Sequence, residues 1–331
     1  MNPTPFSNLS QDLVIDAIES LGYMSDLRVF ALNSYENRVY QVGIEDSEPL
    51  IAKFYRPERW TKEQILEEHQ FSLSLTEAEI PVISPIFRED VGTLFEYGNY
   101  WFALYPRRGG HAPNLDDLDV LYRLGQHLGR IHAIGSTTPF QYRPELSITN
   151  FGINSREYLL ANNFIPANLI EAYATLSQHI LDQITQIMSS VSYSSIRLHG
   201  DCHPGNILTR PDSIYLVDLD DSRMGPAVQD LWMLLSGERH EREAQLEAVI
   251  EGYEEFFPFN TQELALIESL RALRLMHYAY WLAQRWNDPA FPQAFPWFNT
   301  ERYWAEHILS LREQYAELST PPLKIGSARI G

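Results

Sequence analysis

Residues 197–208 read Arg197-Leu198-His199-Gly200-Asp201-Cys202-His203-Pro204-Gly205-Asn206-Ile207-Leu208. The run sets a His, an Asp and an Asn at the spacing H-x-D-x-x-x-x-N, and Val217-Asp218-Leu219-Asp220-Asp221 follows it. Phosphoryl transfer from a nucleotide needs these parts. One carboxylate must orient a hydroxyl, while an amide oxygen and a second carboxylate hold magnesium on the phosphates. The three residues alone would occur by chance in roughly one chain of this size in fifty. Asp218 adds weight, because it lies seventeen residues after Asp201. That is close to the separation in protein kinases between the catalytic-loop Asp and the metal-binding Asp. Between the two, Ile207-Leu208 is apolar, Arg210-Pro211-Asp212-Ser213 is a turn and Ile214-Tyr215-Leu216-Val217 is β-rich. The pattern predicts a hairpin that carries Asp218 back beside Asn206. Asp201 and Asp218 are the candidate catalytic residues, and Asn206 and Asp218 the candidate metal ligands.

The chain before this stretch reads as a small antiparallel sheet with one inserted helix. Leu9, Leu13, Ala17 and Leu21 mark an amphipathic helix over 9–21, ended by Gly22. Strand-like runs follow at Arg28–Leu32, Arg38–Ile44 and Leu50–Phe54. Thr61 is the expected N-cap of a helix over Lys62–Leu75. Thr93–Tyr97 and Tyr100–Leu104 are two more strands, joined by a Gly98-Asn99 turn. From Leu115 onward the pattern turns mostly helical, with helices expected over 116–132, 168–188, 227–235, 243–256, 262–285 and 301–315. Pro106 and the paired Gly109-Gly110 suit a hinge. The expected fold class is therefore α+β, a bilobal protein-kinase-like plan. It has a β-rich nucleotide-binding lobe over 1–104, a hinge over 105–110 and a helical catalytic and substrate lobe over 111–331.

Such a plan needs a Lys on the third strand to hold the α/β-phosphates, and Lys53 stands there in Leu50-Ile51-Ala52-Lys53-Phe54. Its expected anionic partner on the next helix is Glu67 or Glu68, and Glu68 lies nearer the apolar face. The turn over the nucleotide, Leu32-Asn33-Ser34-Tyr35-Glu36-Asn37-Arg38, contains no Gly. Its backbone amides and the Ser34 hydroxyl can still donate to phosphate oxygens. Asp230 reads as a structural acceptor for the backbone of the catalytic loop. Cys202 reads as a small buried filler, with a redox sensor as the sharper alternative.

Composition bounds the rest. The 331 residues suit two lobes, and 44% apolar and 21% charged content is that of an ordinary globular protein. No apolar run approaches the ~20 residues that span a bilayer, and no secretory signal is visible at the N-terminus. A single Cys fits a reducing cytosol. A net charge of −19 argues against partners bound through nucleic-acid phosphates or anionic lipid. It serves solubility, or attracts basic peptides and cationic small molecules.

The strings 33–40, 53–60, 64–71, 197–208, 217–221, 225–235 and 288–292 together make the whole chain resemble the aminoglycoside phosphotransferase/choline kinase superfamily, and within it a bacterial Ser/Thr protein kinase of stress response. The resemblance implies a cytoplasmic, monomeric kinase that uses ATP and Mg2+ and takes a protein substrate. Asp201 would be the proton acceptor, Asn206 and Asp218 would hold magnesium, and Ser34 and Lys53 would contact ATP. The backbone of 104–106 would meet the adenine. His203 stands where protein kinases of the eukaryotic type carry a Lys, and Asp218-Leu219-Asp220 replaces Asp-Phe-Gly. The alternatives are a small-molecule kinase for an amino alcohol, sugar or aminoglycoside, a nucleotide-binding pseudokinase scaffold, and a metal-dependent hydrolase using His199, Asp201 and His203. Tyr278, Tyr280, Trp281, Trp286 and Phe291-Pro292 bear on the acceptor, as a closed cation-binding pocket or as packing.

Overall fold

Apolar, β-branched and aromatic residues in Arg38–Ile44 (β2) and Leu50–Phe54 (β3) form the centre of a five-stranded antiparallel sheet, at the expected bounds. The computed structural model describes residues 5–326. Strand β1 is Ser25–Ala31, β4 is Phe95–Tyr97 and β5 is Tyr100–Pro106, and the sheet order is β1-β2-β3-β5-β4. Gly98 and Asn99 both have positive φ, 56° and 68°, which closes the β4–β5 hairpin with the twist its strands need. One face of the sheet packs on helix α1, Gln11–Glu19, whose Ser10 hydroxyl caps Leu13 N at 3.1 Å. Phe54 and Phe102 stack at 5.0 Å in this core. Helix α2, Lys62–Glu77, begins at Thr61 in a reciprocal capping box with Gln64. Its buried side carries Ile65, Glu68, His69, Phe71, Ser72 and Leu75.

The hairpin expected after Asn206 is present. After β6, Ile196–Leu198, come β7, Ile207–Arg210, and β8, Ser213–Leu216. The β7–β8 hairpin completes its backbone bonding on earlier residues. Thr209 N donates to His111 O at 2.7 Å, and Leu216 N donates to Pro81 O at 2.9 Å. The first compact unit accordingly takes the chain up to Pro113, then Phe140–Arg143 and His203–Ser222. The expected segments 1–104, 105–110 and 111–331 were contiguous, whereas this unit gathers three separate stretches. Strand β5 also continues through Pro106.

The second unit comprises Asn114–Pro139, Pro144–Cys202 and the chain from Arg223 onward. Helix α3, Leu118–Gly135, starts at the N-cap Asp117. A π turn at Thr149–Ile153 runs into α4, Asn154–Ala161, and α5 is Ile170–Ser190. Strand β9, Arg223–Gly225, pairs with β6. Then follow α6, Gln229–Trp232, α7, Arg239–Glu254, and α8, Ile267–Gln284. Helices α9, Ala290–Ala294, and α10, Glu301–Glu317, complete it. The helix expected over 227–235 is cut to one turn, and that over 262–285 begins as a 3-10 turn at Thr261–Leu266. Helices α3 and α7 approach so closely that a Cβ on Gly125 would meet Val249 O, and one on Gly129 would meet Tyr253 O. We expect Gly125→Ala to force the helices apart at a cost of about 1–3 kcal/mol. A denaturant midpoint equal to the wild type would refute that.

Candidate active site

In the first unit, strand β3 delivers Lys53 into a buried cluster of charges. Lys53 Nζ lies 2.8 Å from Asp218 Oδ1 and 3.1 Å from Asp220 Oδ1. Burial alone would lower the pKa of the ammonium, but Asp218 and Asp220 more than offset this and hold it well above the ordinary lysine value. Asp220 is buried, pairs with Arg59 and accepts from Asn37 Nδ2 at 3.2 Å. Burial would raise its carboxyl, and Lys53 and Arg59 bring it below the usual carboxylate range. Arg143 clasps the backbone behind it. Its Nε donates to Ser222 O at 2.8 Å, and its Nη2 donates to Asp220 O.

Glu68 sits in the same buried neighbourhood, but the ion pairs of Lys53 go to Asp218 and Asp220. Burial pushes the Glu68 carboxyl up to about 7, against the opposing pull of Lys53 and Arg143. Glu67 has a separate task and accepts the backbone N–H groups of Gln141, Tyr142 and Arg143 at 2.5–2.8 Å.

Asp218 adopts the left-handed conformation, φ 61° and ψ 62°, which Asp tolerates better than most residues. Its side chain is 53% exposed. Val217 N donates to Asn206 O at 3.0 Å, so the hairpin returns the chain to Asn206 immediately before Asp218. Asn206 ends a 3-10 turn, Pro204–Asn206, which His203 caps by accepting from Gly205 N through Nδ1 at 3.0 Å. The Ser34 hydroxyl donates to Asn37 O at 3.1 Å and so shapes its own turn. At β5, Leu104 O accepts from Ile86 N at 2.7 Å.

In the second unit, the loop bearing Asp201 is fixed from below by Asp230, which is fully buried. Its two oxygens accept His199 N at 2.7 Å and Gly200 N at 2.8 Å, as expected of a structural acceptor. His132 Nε2 lies 3.0 Å from the same carboxylate, and Tyr253 Oη holds His132 Nδ1 at 2.9 Å. Burial alone would raise the Asp230 carboxyl, but the His132 hydrogen bond and the backbone N–H of Gly200 bring it below the usual value. An ionised Asp230 accepts all three bonds, so His132 donates from Nε2. Gly200 has φ +86°, a conformation that favours glycine. Asp230→Ala would orphan two buried N–H groups and His132. We expect a large drop in Tm together with loss of turnover, and a variant with wild-type Tm would overturn this account.

Arg274 on α8 donates to Asp201 Oδ1 at 2.5 Å, a pairing that the sequence did not announce. Cys202 is buried, and burial drives its thiol well above the ordinary value, the setting of an inert cysteine. His199 Nδ1 accepts from Asp201 N at 3.4 Å. Among the described residues, no group of three or more His, Cys, Asp or Glu is placed to hold a metal ion. Trp281 packs edge-on against Phe291 at 5.1 Å and Phe295 at 5.8 Å, and Trp286 against Phe298 at 4.9 Å. Phe291 and Phe298 are buried, and Trp281 and Trp286 are half-buried against them. Among the described residues, no helix is long and apolar enough to cross a membrane.

The profile of the phosphotransferase enzyme family matches residues 27–267. Stress response kinase A of Escherichia coli K12 is 44% identical over 320 residues, 97% of each chain. The serine/threonine protein kinase RdoA of Salmonella typhimurium is 42% identical over 324 residues, 98% of each chain. Among solved structures, amicoumacin kinase hAmiN, in complex with AMP-PNP, Ca2+ and Ami, superposes with a TM-score of 0.72 at 18% identity over 91% of each chain. Spectinomycin phosphotransferase, in complex with ADP and spectinomycin, gives 0.60 at 17% identity over 94% of each chain. The last two likenesses are of fold: a small antiparallel sheet with a larger helical region. With near full-length relatives that are named kinases, the chain is an enzyme and belongs to the phosphotransferase enzyme family.

Proposed function

We propose that the chain is an ATP- and magnesium-dependent kinase that phosphorylates Ser or Thr hydroxyls of proteins in a cytoplasmic stress response. One observation carries most of the weight: the buried Lys53 and the half-exposed Asp218, 165 residues apart, meet at 2.8 Å. Lys53, kept protonated by its acidic neighbours, would bind the α/β-phosphates, with Ser34 and the backbone of its turn beside it. The backbone of 104–106 would meet the adenine. Asn206 and Asp218 offer an amide oxygen and a half-exposed carboxylate. This all-oxygen donor set, completed by phosphate and water, suits magnesium. When bound, that ion neutralises charge on the transferring phosphoryl group. Asp201 would accept the hydrogen bond of the acceptor hydroxyl and then its proton as the oxygen attacks phosphorus in line. Asp230 fixes the loop so that Asp201 is already oriented. The Salmonella typhimurium relative is named a serine/threonine protein kinase, which supports a protein acceptor.

Radiolabelled ATP supplied with cell extract, and separately with amino alcohols, sugars and aminoglycosides, tests this reading. Label should enter protein Ser or Thr, vanish with EDTA and return with added magnesium. Label confined to small molecules would sink the protein-kinase reading. Nucleotide binding without any transfer would make the chain a pseudokinase scaffold.

A further inference from the structure

Helix α8 carries a charge pattern opposite to that of the whole chain. The net charge is −19, yet no Asp or Glu stands between Glu268 and Asp288, while Arg271, Arg274 and Arg285 do. Helical spacing aligns Arg271, Arg274, Tyr278, Trp281 and Arg285, the last just past the C-terminus of α8. Contacts follow the stripe. Tyr278 stacks on Trp281 at 5.8 Å, and the Arg285 guanidinium lies over the Trp281 ring at 5.4 Å. Near its start, Arg274 Nη1 bonds Asp201 Oδ1 at 2.5 Å while its side chain stays 43% exposed. A guanidinium has five donors in a planar fork, so this bond leaves donors facing solvent.

We infer that this stripe binds the acceptor, and that Arg274 selects a Ser or Thr hydroxyl flanked by carboxylate side chains. The inference rests on the proposed role of Asp201. On that role the acceptor hydroxyl bonds Asp201, and Arg274, bonded to the same carboxylate, lies beside it. A carboxylate near that hydroxyl gains a charge-assisted bond to Arg274, whereas an ammonium group there meets a like charge. Amino alcohols and aminoglycosides carry such an ammonium a few bonds from their hydroxyls. The charge of −19 favours cations at long range, but at physiological salt its field decays over about 8 Å. Direct contact with Arg274 therefore decides. From Arg274 to Arg285 a helix rises about 16 Å, the reach of about five extended peptide residues. Arg274 acts through Asp201 and through the acceptor's flanks, as a positioning and specificity residue.

Two peptides with one Ser, flanked on either side by Glu or by Lys, test this with the full chain and saturating ATP. The wild type should favour the Glu peptide by about tenfold in kcat/KM. R274Q should lose that preference chiefly through KM, R274K should retain most of it, and R274E should reverse it, with KM for ATP unchanged throughout. A third peptide flanked by phosphoserine should follow the Glu peptide. No preference in the wild type, a preference for Lys, or an unchanged preference in R274Q would overturn the inference. The role of Asp201 is read separately. D201N should slow transfer to every peptide by about 10²–10⁴-fold, and if it does not, the fault lies with the proposed reaction. Transfer to none of the peptides by the wild type would overturn both.

Discussion

Asp201→Asn should turn over about 10²–10⁴-fold more slowly than the wild type while binding nucleotide equally well. Asn preserves the shape of the side chain and one acceptor oxygen, so the bond from Arg274 at 2.5 Å can persist. The NH2 group now facing the hydroxyl can donate but cannot take a proton. The proposed nucleotide contacts, Lys53 and Ser34, lie on other elements. Single-turnover transfer from radiolabelled ATP measures the first effect, and calorimetric titration with a non-hydrolysable analogue measures the second. Turnover within tenfold of the wild type would remove Asp201 from its role. Loss of nucleotide binding would mean the substitution had disturbed the fold.

Asp220→Ala should be the most destabilising single change in the first unit, at about 3–5 kcal/mol. The carboxylate is buried between Lys53 and Arg59, and it also accepts from Asn37. Its removal leaves two largely buried cations sharing fewer acids, and a buried amide without its acceptor. Asp220→Asn restores the amide contact but not the charge, and should fall between the two. The folded carboxyl lies below its ordinary value, held there by Lys53 and Arg59. Its stabilisation is therefore fully present above the ordinary carboxylate pKa and disappears only as pH falls through the depressed folded value. The gap in Tm between wild type and Asp220→Ala, at about 10 °C, should persist from pH 8 to pH 5, varying there only as Glu68, whose carboxyl is pushed up to about 7 beside Asp220, changes charge. A gap that closes within that range would show that Asp220 is not the ionised partner described.

The return of Asp218 to the side of Asn206 was legible because the constraints on it are local. A loop spacing and a short hairpin bring Asp218 back to Asn206 with no long-range information. The strands β2 and β3 were equally legible, since their apolar patterns are bounded by turns. Asp220 was not, because Asp218, Asp220 and Asp221 stand in one acidic run and only burial separates them. Arg274 lies 73 residues from Asp201 on a helix with no motif of its own. Neighbouring Glu67 and Glu68 differ by 100° around α2, enough to send one to a backbone cap and the other into the charge cluster. The strands β6 and β9 are three residues each, too short to show a period, and Thr149–Ala161 is rich in Thr, Asn, Gly and Ser, which read as turn.

The discontinuity of the first unit has a consequence for how the chain is made. Lys53 and Arg59 emerge from the ribosome long before Asp218 and Asp220, the acids that pair with them when buried. At about 5–20 residues per second, the 109 residues from Pro113 to Ser222 take on the order of 5–20 s to synthesise. Through that interval the sheet cannot complete its charge cluster, and a fragment cut at Pro113 would never do so. The nascent sheet must therefore wait, open or sheltered by a chaperone, for a hairpin translated after helices α3 to α5. Grafting residues 207–222 onto the end of such a fragment through a flexible linker would supply the missing acids and hairpin directly.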